Sequence, residues 1–219
     1  MKVAAVVPVK SLQKSKSRLS PFFSSVQRQA ISQLMLNYTL CVLCRLEFLT
    51  QIIVVSCDPF VRRLAETFGA YYLHNNESGV NSAVCAADRL CHDNGIKSNI
   101  VIPADLCFLN EEEIRLVYYA STKFPKVVAI CPSKRNDGTN FLLRKPFSIF
   151  KTSYENNSYY NHLSLANNSG AHVFTIDSEN LERDIDTFND IIDAVDNHPM
   201  HKMAKIIREM LIQINSSFK

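Results

Sequence analysis

The sequence predicts an α/β protein whose mostly parallel central sheet is covered by helices on both faces. Six short apolar runs do not alternate apolar with polar residues, as strands with one solvent-exposed face do. Such unbroken apolar runs are typical of strands buried on both faces. Segments with helical periodicity separate these runs, and strands that alternate with helices form parallel sheets between helix layers. The predicted strands span residues 3–9, 51–56, 70–73, 100–103, 127–131 and 141–143.

Helix start and stop signals support this alternation. Ser24 or Ser25 can cap a helix that runs to about residue 45. Asp58 followed by Pro59 begins a second helix, which Gly69 ends. Further helices are predicted over 81–91 and 110–119, from 187 onward, and from 199 along the tail.

The composition is that of a globular protein with one domain over residues 1–219. Hydrophobic residues make up 47% and charged residues 21%, and no apolar run approaches the roughly 20 residues of a membrane helix. The first apolar run breaks at Pro8 and Lys10 without a small-residue cleavage site, so we expect no secretion signal. The seven cysteines lie mostly in apolar runs, which is typical of reduced thiols in a core. We therefore expect a cytoplasmic protein with no membrane or nucleic-acid partner.

The segment KSLQKSKSRL, directly after the first strand, carries four cations and no acid: Lys10, Lys14, Lys16 and Arg18. A loop without glycine must neutralise phosphate with side chains rather than with backbone amides. Lysine offers a point charge, and arginine offers a planar fork for two phosphate oxygens. Because ligands of parallel sheets bind beyond the carboxyl ends of strands, this basic segment fits a phosphate site. The alternative is a solvated connecting loop, which charge runs usually form.

Three aspartates give the second signal. Asp105 follows the apolar run 100–103, so we expect its carboxylate at the carboxyl end of a strand. Asp184 and Asp186 alternate about Ile185, so in an extended segment both carboxylates share one face while Ile185 points inward. Carboxylates gathered beside a phosphate substrate are typical of a Mg²⁺ site. The alternatives are a turn role for Asp105, surface charge for Asp184 and helix capping for Asp186.

Two turns and a polar segment complete the candidate set. SGVN, residues 78–81, opens a helix with a glycine that permits close backbone approach and an asparagine amide that can contact a base or ribose. DGTN, residues 137–140, feeds a strand and offers Thr139 and Asn140 as donors to a carboxylate or phosphate. Residues 152–170, rich in Asn, Ser and Tyr, are predicted to form a loop that contacts substrate or a partner. A plain surface turn or loop is the alternative for each.

Six short motifs follow one another along the chain: PVK, KSRL, SGVN, PADL, DGTN and DIDT. In their order and spacing they resemble those of the 2-phospho-L-lactate guanylyltransferase family, which acts in making coenzyme F420. The resemblance covers residues 3 to about 195. It is strongest in PVK…KSRL and GTN, since PADL and DxD occur in a wider class of nucleotidyltransferases. It implies a three-layer, Rossmann-like nucleotidyltransferase fold with a mostly parallel sheet.

The resemblance assigns roles to the matching positions. Catalytic roles fall on Lys10, Lys16, Arg18 and Asp105. Nucleotide contacts fall on Pro8, Lys10, Lys16, Arg18, Gly79, Asn81, Pro103 and Ala104. The acceptor substrate is expected at Thr139, Asn140 and Ser158, and Mg²⁺ at Asp105, Asp184 and Asp186. The sequence departs from the family pattern at Val80, at Cys107 in place of a proline, and at Asn156-Asn157 in place of proline and glycine.

The implied reaction moves GMP from GTP to the phosphate of a small 2-phospho acid, 2-phospho-L-lactate or phosphoenolpyruvate, and releases pyrophosphate. A phosphate ester needs no general base, because its second pKa is about 6. The six histidines fall in no catalytic spacing and are interpreted as structural.

Several alternatives remain open from the sequence. They are another nucleotidyltransferase acting on a sugar phosphate or cofactor precursor, a glycosyltransferase using a nucleoside-diphosphate sugar, and a non-catalytic nucleic-acid-binding module. The apolar stripe of the tail helix fits either core packing or the interface of a homodimer, and it comprises Met203, Ile206, Ile207, Met210 and Ile214.

Overall fold

A seven-stranded sheet organises the chain. The computed structural model describes residues 2–77 and 79–216, with side chains as far as residue 212. The strands are β1 (Val3–Pro8), β2 (Gln51–Ser56), β3 (Tyr71–His74), β4 (Ser98–Val101), β5 (Val127–Pro132), β6 (Thr139–Lys145) and β7 (His172–Thr175). The helices are α1 (Ser25–Leu43), α2 (Pro59–Thr67), α3 (Val80–Asp93), α4 (Glu111–Thr122), α5 (Ser158–Asn168), α6 (Glu179–Glu182), α7 (Phe188–Asn197) and α8 (Lys202–Ser216). Short 3₁₀ turns lie at Leu12–Lys14, Ser17–Leu19 and Phe147–Ile149.

The strand order is β3-β2-β1-β4-β6-β5-β7. Neighbouring strands pair in parallel except at β6, which runs antiparallel to both β4 and β5. The chain runs from β1 outward to β2 and β3 and then places β4 on the other side of β1, so β1 and β4 flank a topological switch point. Because β6 is reversed, its first residues lie at the same edge as the carboxyl ends of β1 and β4. The predicted mostly parallel α/β sheet is confirmed.

Helices cover both faces of the sheet, because successive residues of a buried strand point to opposite sides. Val3, Ala5 and Val7 of β1 pack with α1, α2 and α4 in one apolar cluster. Ala4 and Val6 face the other way and pack with α3 and α5 in a second cluster. A third cluster joins α1, α7 and α8 beyond the carboxyl ends of the strands. Helix α8 packs into this third cluster through Met203 and Ile207, while the side chain of Ile214 lies outside the described residues.

The structure corrects three predictions. Residues 152–170 are not one loop, because α5 occupies part of them. Its buried face is formed by Ser158, His162 and Ala166, which stand four residues apart within a composition poor in strong helix formers. Strand β7 is absent from the predicted set, since its four residues are exposed or half-buried and carry no apolar run. Strand β4 ends at Val101 instead of residue 103, so Asp105 lies within a loop beyond the strand.

The cysteines match their prediction only in part. All seven are free thiols, as expected. The buried ones are Cys91, Cys107 and Cys131, whereas Cys44, Cys57 and Cys85 are exposed. Among the described residues, none of the helices combines the length and apolarity that crossing a membrane requires.

A buried ion pair links β6 to α3. The Arg144 side chain is 0% exposed, and it donates from Nη2 to Asp88 Oδ1 at 2.7 Å and from Nη1 to the Phe150 carbonyl oxygen at 2.9 Å. Asn99 Nδ2 donates to the same Asp88 oxygen at 2.7 Å. Burial raises the pKa of Asp88, and the Arg144 guanidinium opposes that shift. The ion pair therefore holds β6 and α3 at a fixed distance from each other.

Asp88→Ala is expected to destabilise the fold by about 3–5 kcal/mol, because it leaves a fully buried guanidinium without its counter-charge. The midpoint of urea unfolding measures this loss. The matched control is Glu66→Ala, which breaks the exposed Arg62–Glu66 pair of α2 and should cost less than about 1 kcal/mol. Equal losses in the two variants would contradict the prediction.

Candidate active site

The predicted site residues converge at the switch point between β1 and β4. The basic segment leaves the end of β1, and the loop that carries Asp105 leaves the end of β4 beside it. Thr139 opens the reversed strand β6 at the same edge. Residues from three distant parts of the sequence therefore meet where open α/β sheets bind ligands.

Asp58 holds the basic segment in place. Its Oδ2 accepts hydrogen bonds from Leu12 N at 2.9 Å and from Ser11 Oγ at 3.3 Å. Its Oδ1 caps α2 by accepting from Phe60 N at 2.8 Å. Leu12 and Leu19 are buried within the two 3₁₀ turns of the segment. The segment is thus anchored along its length and is not a free solvated loop.

Lys16 turns inward from this segment. Its backbone is left-handed, with φ at 53°, which is uncommon for a residue other than glycine. Its side chain is 7% exposed, and Nζ lies 2.8 Å from Asp105 Oδ2 and 2.8 Å from Asp186 Oδ1. Burial alone would lower the pKa of Lys16, but the two carboxylates raise it above its ordinary value. The ammonium is therefore charged at neutral pH.

Asp184 lies beside these ion pairs. Ile185 N donates to the Asp105 carbonyl oxygen at 3.3 Å, and Leu106 and Asp184 form an isolated antiparallel bridge. Ile185 is buried, so the two aspartates that flank it face the site together, as their alternation requires. Burial, followed by the negative charges of Asp105 and Asp186, raises the pKa of Asp184 to about 6.

Asp105, Asp184 and Asp186 match a hard divalent cation such as Mg²⁺ in donor chemistry but not in spacing. Carboxylate oxygens are the ligands that this ion prefers. Burial is the main cause of the raised pKa of Asp184, and the negative charges of Asp105 and Asp186 add to it, so a cation beside Asp184 would favour its charged form. Within the described residues no three His, Cys, Asp or Glu side chains stand at metal-ligating spacing, and the Lys16 ammonium joins Asp105 to Asp186.

Two arginines lie near Asp186. Arg18 is mostly exposed, and its Nη1 lies 3.5 Å from Asp186 Oδ2. Arg135, in the turn between β5 and β6, approaches that oxygen with Nη2 at 3.9 Å. Arg135 is absent from the predicted set, although it stands two residues before the DGTN turn. A cavity of about 350 Å³ opens beside Arg135 and Asp184.

A second polar cluster forms where β6 and α5 begin. Ser158 Oγ donates to Thr139 Oγ1 at 3.2 Å, and His162 Nδ1 lies 3.0 Å from the same oxygen. Asn140 directs its Nδ2 to the Glu182 carbonyl oxygen at 2.9 Å, so this donor fastens β6 to the end of α6. His162 is also absent from the predicted set, although it lies one helical turn after Ser158.

The predicted nucleotide contacts lie along the same edge. Lys10 follows the end of β1 at Pro8 as an exposed side chain, and Pro103 and Ala104 are half-buried in the loop after β4. Because β1 and β4 pair in parallel, these two loops leave the sheet side by side.

Gly79 and Asn81 lie at the start of α3. Gly79 is the N-cap with φ at 100°, a conformation that strains any side chain, and it provides no capping side chain for the first N–H groups of the helix. Asn81 Oδ1 accepts from Tyr154 N at 2.8 Å, which ties α3 to the segment before α5. Ser78, the first residue of the SGVN motif, lies outside the described residues.

Comparison with known proteins places the chain in a family. A family model described as "Guanylyl transferase CofC like" matches residues 3–219. The chain belongs to this family. It is therefore a nucleotidyltransferase enzyme, and the resemblance drawn from its motifs is confirmed.

Named relatives match over most of the chain. The chain is 32% identical over 191 residues to the 3-phospho-D-glycerate guanylyltransferase of Colwellia psychrerythraea, covering 87% of this chain and 90% of the relative. It is 31% identical over 191 residues to the phosphoenolpyruvate guanylyltransferase of Rubrobacter xylanophilus, covering 87% and 92%. It is 26% identical over 215 residues to the 2-phospho-L-lactate guanylyltransferase of Methanobrevibacter smithii, covering 98% and 93%.

Solved structures share the fold. A putative nucleotide-diphospho-sugar transferase from Desulfovibrio desulfuricans G20 matches with a TM-score of 0.78 at 13% identity, over 98% of this chain and 97% of that one. The 4-diphosphocytidyl-2C-methyl-D-erythritol synthase of Anaerococcus prevotii matches with a TM-score of 0.59 at 14% identity, over 88% and 93%. The predicted three-layer, Rossmann-like nucleotidyltransferase fold is confirmed.

The raised pKa of Asp184 predicts a pH-dependent stability in metal-free buffer. The native state keeps the Asp184 proton until about pH 6, whereas the unfolded chain loses it near pH 4, so native stability falls between these values. Asp184→Asn removes this fall and should stabilise the protein by about 1–3 kcal/mol above pH 6, with little effect near pH 4. The free energy of unfolding is measured by urea denaturation between pH 4 and pH 7 in buffer that contains a metal chelator. Asp196→Asn, at an exposed site on α7, is the control, and parallel curves for wild type and Asp184→Asn would contradict the assignment.

Proposed function

We propose that this enzyme transfers GMP from GTP to the phosphate of a small 2-phospho acid, 2-phospho-L-lactate or phosphoenolpyruvate, and acts in making coenzyme F420. The observation that carries the proposal is the buried Lys16 ammonium between Asp105 and Asp186, with Asp184 beside them, at the switch point. Carboxylates and cations gathered at this edge suit a reaction between two phosphate groups. The names of the relatives support the guanylyl group and the phospho acid.

The chemistry requires no general base from the protein. The acceptor phosphate is mostly a dianion at neutral pH, because its second pKa is about 6. One of its oxygens attacks the α-phosphorus of GTP while the bond from that phosphorus to the oxygen of the β-phosphate breaks, and pyrophosphate leaves. The protein must therefore reduce the repulsion between two anions and align them in line.

The basic segment supplies the positive charge for the phosphates. Lys10 and Arg18 are exposed at the edge and would reach a bound triphosphate, and Arg135 approaches the same Asp186 oxygen as Arg18. Lys16 adds its charge from within the site, where low solvent access strengthens its effect on developing negative charge. In this proposal Lys10, Lys16 and Arg18 stabilise the leaving pyrophosphate.

In this proposal the enzyme depends on Mg²⁺ held by Asp105, Asp184 and Asp186. When bound, the ion would supply positive charge to the α-phosphate and to the acceptor phosphate. The three carboxylates would hold the ion beside the basic segment.

The start of α3 would take the guanosine side, and the start of α5 the acceptor. Gly79 leaves the first backbone N–H groups of α3 without a capping side chain, and Asn81 carries an amide donor beside them. Thr139 and Ser158 would meet the acceptor where β6 and α5 begin. Because Ser158 Oγ donates to Thr139 Oγ1, the Thr139 hydroxyl is the one that can donate to a carboxylate.

Pyrophosphate release tests the reaction directly. Each of the four common nucleoside triphosphates is incubated with Mg²⁺ and with phospholactate, phosphoenolpyruvate or 3-phosphoglycerate. We expect release only from GTP with one 2-phospho acid, and a loss on the order of 10² or more in rate in Asp105→Asn. Release with 3-phosphoglycerate alone would replace the proposed acceptor, and release from no pair would refute guanylyl transfer.

Lys16→Ala tests the buried cation. We expect kcat/KM to fall by about 10²–10³, because a preorganised charge beside the phosphates is lost. Lys14→Ala removes an exposed lysine of the same segment and should change kcat/KM by less than about threefold. Similar losses in both variants would show that general positive charge, and not the buried ammonium, is what the reaction uses.

A further inference from the structure

His162 is a buried polar residue that has no role in the reaction described above. It stands on α5 with 0% of its surface exposed, and both ring nitrogens have partners. Nε2 lies 2.8 Å from Ser153 N, and Nδ1 lies 3.0 Å from Thr139 Oγ1. The ring thus joins the segment before α5 to the first residue of β6.

These contacts determine the tautomer of the ring. A backbone N–H can only donate, so His162 Nε2 accepts from Ser153 and carries no proton. Burial, assisted by the Arg144 guanidinium, lowers the pKa of His162 to about 4, so the ring is neutral at physiological pH. Its one proton is on Nδ1, which donates to Thr139 Oγ1.

The Thr139 hydroxyl oxygen therefore accepts two hydrogen bonds, one from His162 and one from Ser158. A hydroxyl group has two lone pairs and one hydrogen. With both lone pairs occupied, the hydrogen must point away from these neighbours, and no acceptor for it is found among the side chains and backbone that the structure describes. Thr139 is thereby prepared as a donor.

Neighbouring bonds hold the same segment from two helices. Asn161 Nδ2 donates to the carbonyl oxygens of Glu155 at 3.1 Å and Asn156 at 2.9 Å. Tyr154 N donates to Asn81 Oδ1 at 2.8 Å. The segment before α5 that His162 contacts through Ser153 therefore also links α5 to the start of α3.

We propose that His162 is a positioning residue that orients the Thr139 hydroxyl as a hydrogen-bond donor to the carboxylate of the acceptor substrate. The inference rests on the proposed function, since only there is Thr139 a substrate contact. His162 acts through Thr139, so its effect should fall on the acceptor and not on GTP. A carboxylate bound equally in the ground state and the transition state changes KM and leaves kcat unchanged.

Two substitutions separate the two ring nitrogens. The amide nitrogen of Asn in His162→Asn can stand where Nδ1 stands and keep the donor to Thr139. His162→Gln places its amide oxygen where Nε2 stands, which keeps an acceptor for Ser153 but removes the donor. We expect His162→Gln to raise the acceptor KM about tenfold, with kcat and the GTP KM within about twofold of wild type. His162→Asn should stay within about threefold of wild type in all three constants.

A double-mutant cycle tests whether His162 acts through Thr139. Thr139→Val should raise the acceptor KM about tenfold or more, and adding His162→Gln should raise it no further, because the bond is already gone. Effects that multiply would overturn the proposal, as would equal damage from His162→Asn and His162→Gln. His92→Gln, at an exposed histidine on α3, is the control.

A measurement on the wild-type protein distinguishes failure of this inference from failure of the proposed function. ¹⁵N NMR of the histidine rings should show His162 protonated on Nδ1 and not on Nε2, unchanged between about pH 5.5 and 8. The opposite tautomer would overturn the role of His162 even in an active enzyme. An inactive wild type with Nδ1 protonated would refute the proposed function alone.

Discussion

The ion pairs of Lys16 are the interaction on which the active edge depends. Lys16 stands 89 residues from Asp105 and 170 residues from Asp186, so one ammonium joins three distant segments. Burying a charge costs several kcal/mol unless oppositely charged partners are close. Without the lysine, the carboxylates would repel one another. The basic segment, the loop after β4 and the strand-like residues before α7 therefore specify one another's positions.

Charge is distributed unevenly along the edge. One end gathers three carboxylates, a buried ammonium and two arginines, whereas the other end consists of neutral hydroxyl groups and a neutral imidazole. Burial lowers the pKa of the His162 imidazole, and the charge of the buried Arg144, which pairs with Asp88, adds to this shift. A molecule with a phosphate at one end and a carboxylate at the other matches this polarity in a single orientation.

Sequence patterns predict most of the strands and the acidic cluster, because apolar runs and the alternation about Ile185 are local signals. The reversal of β6 is absent from the predictions, although the connection over residues 133–138 is too short for a crossover helix and requires β5 and β6 to be antiparallel. The predictions also miss Arg135 and His162, whose importance comes from contacts across 51 and 23 positions. Helix α5 is missed because its buried face has small and polar residues where a helix in a core ordinarily has large apolar ones.

The reversal of β6 has a consequence for how such enzymes can diverge. A hairpin, not a crossover helix, joins β5 to β6, so residues 133–138 can change in length or sequence without moving β1 or β4. If the proposed function holds, the part of the site that would meet the acceptor could vary while the loops after β1 and β4, which would meet the nucleotide, stay in place. Relatives named for three different phospho acids are what this division of the scaffold permits.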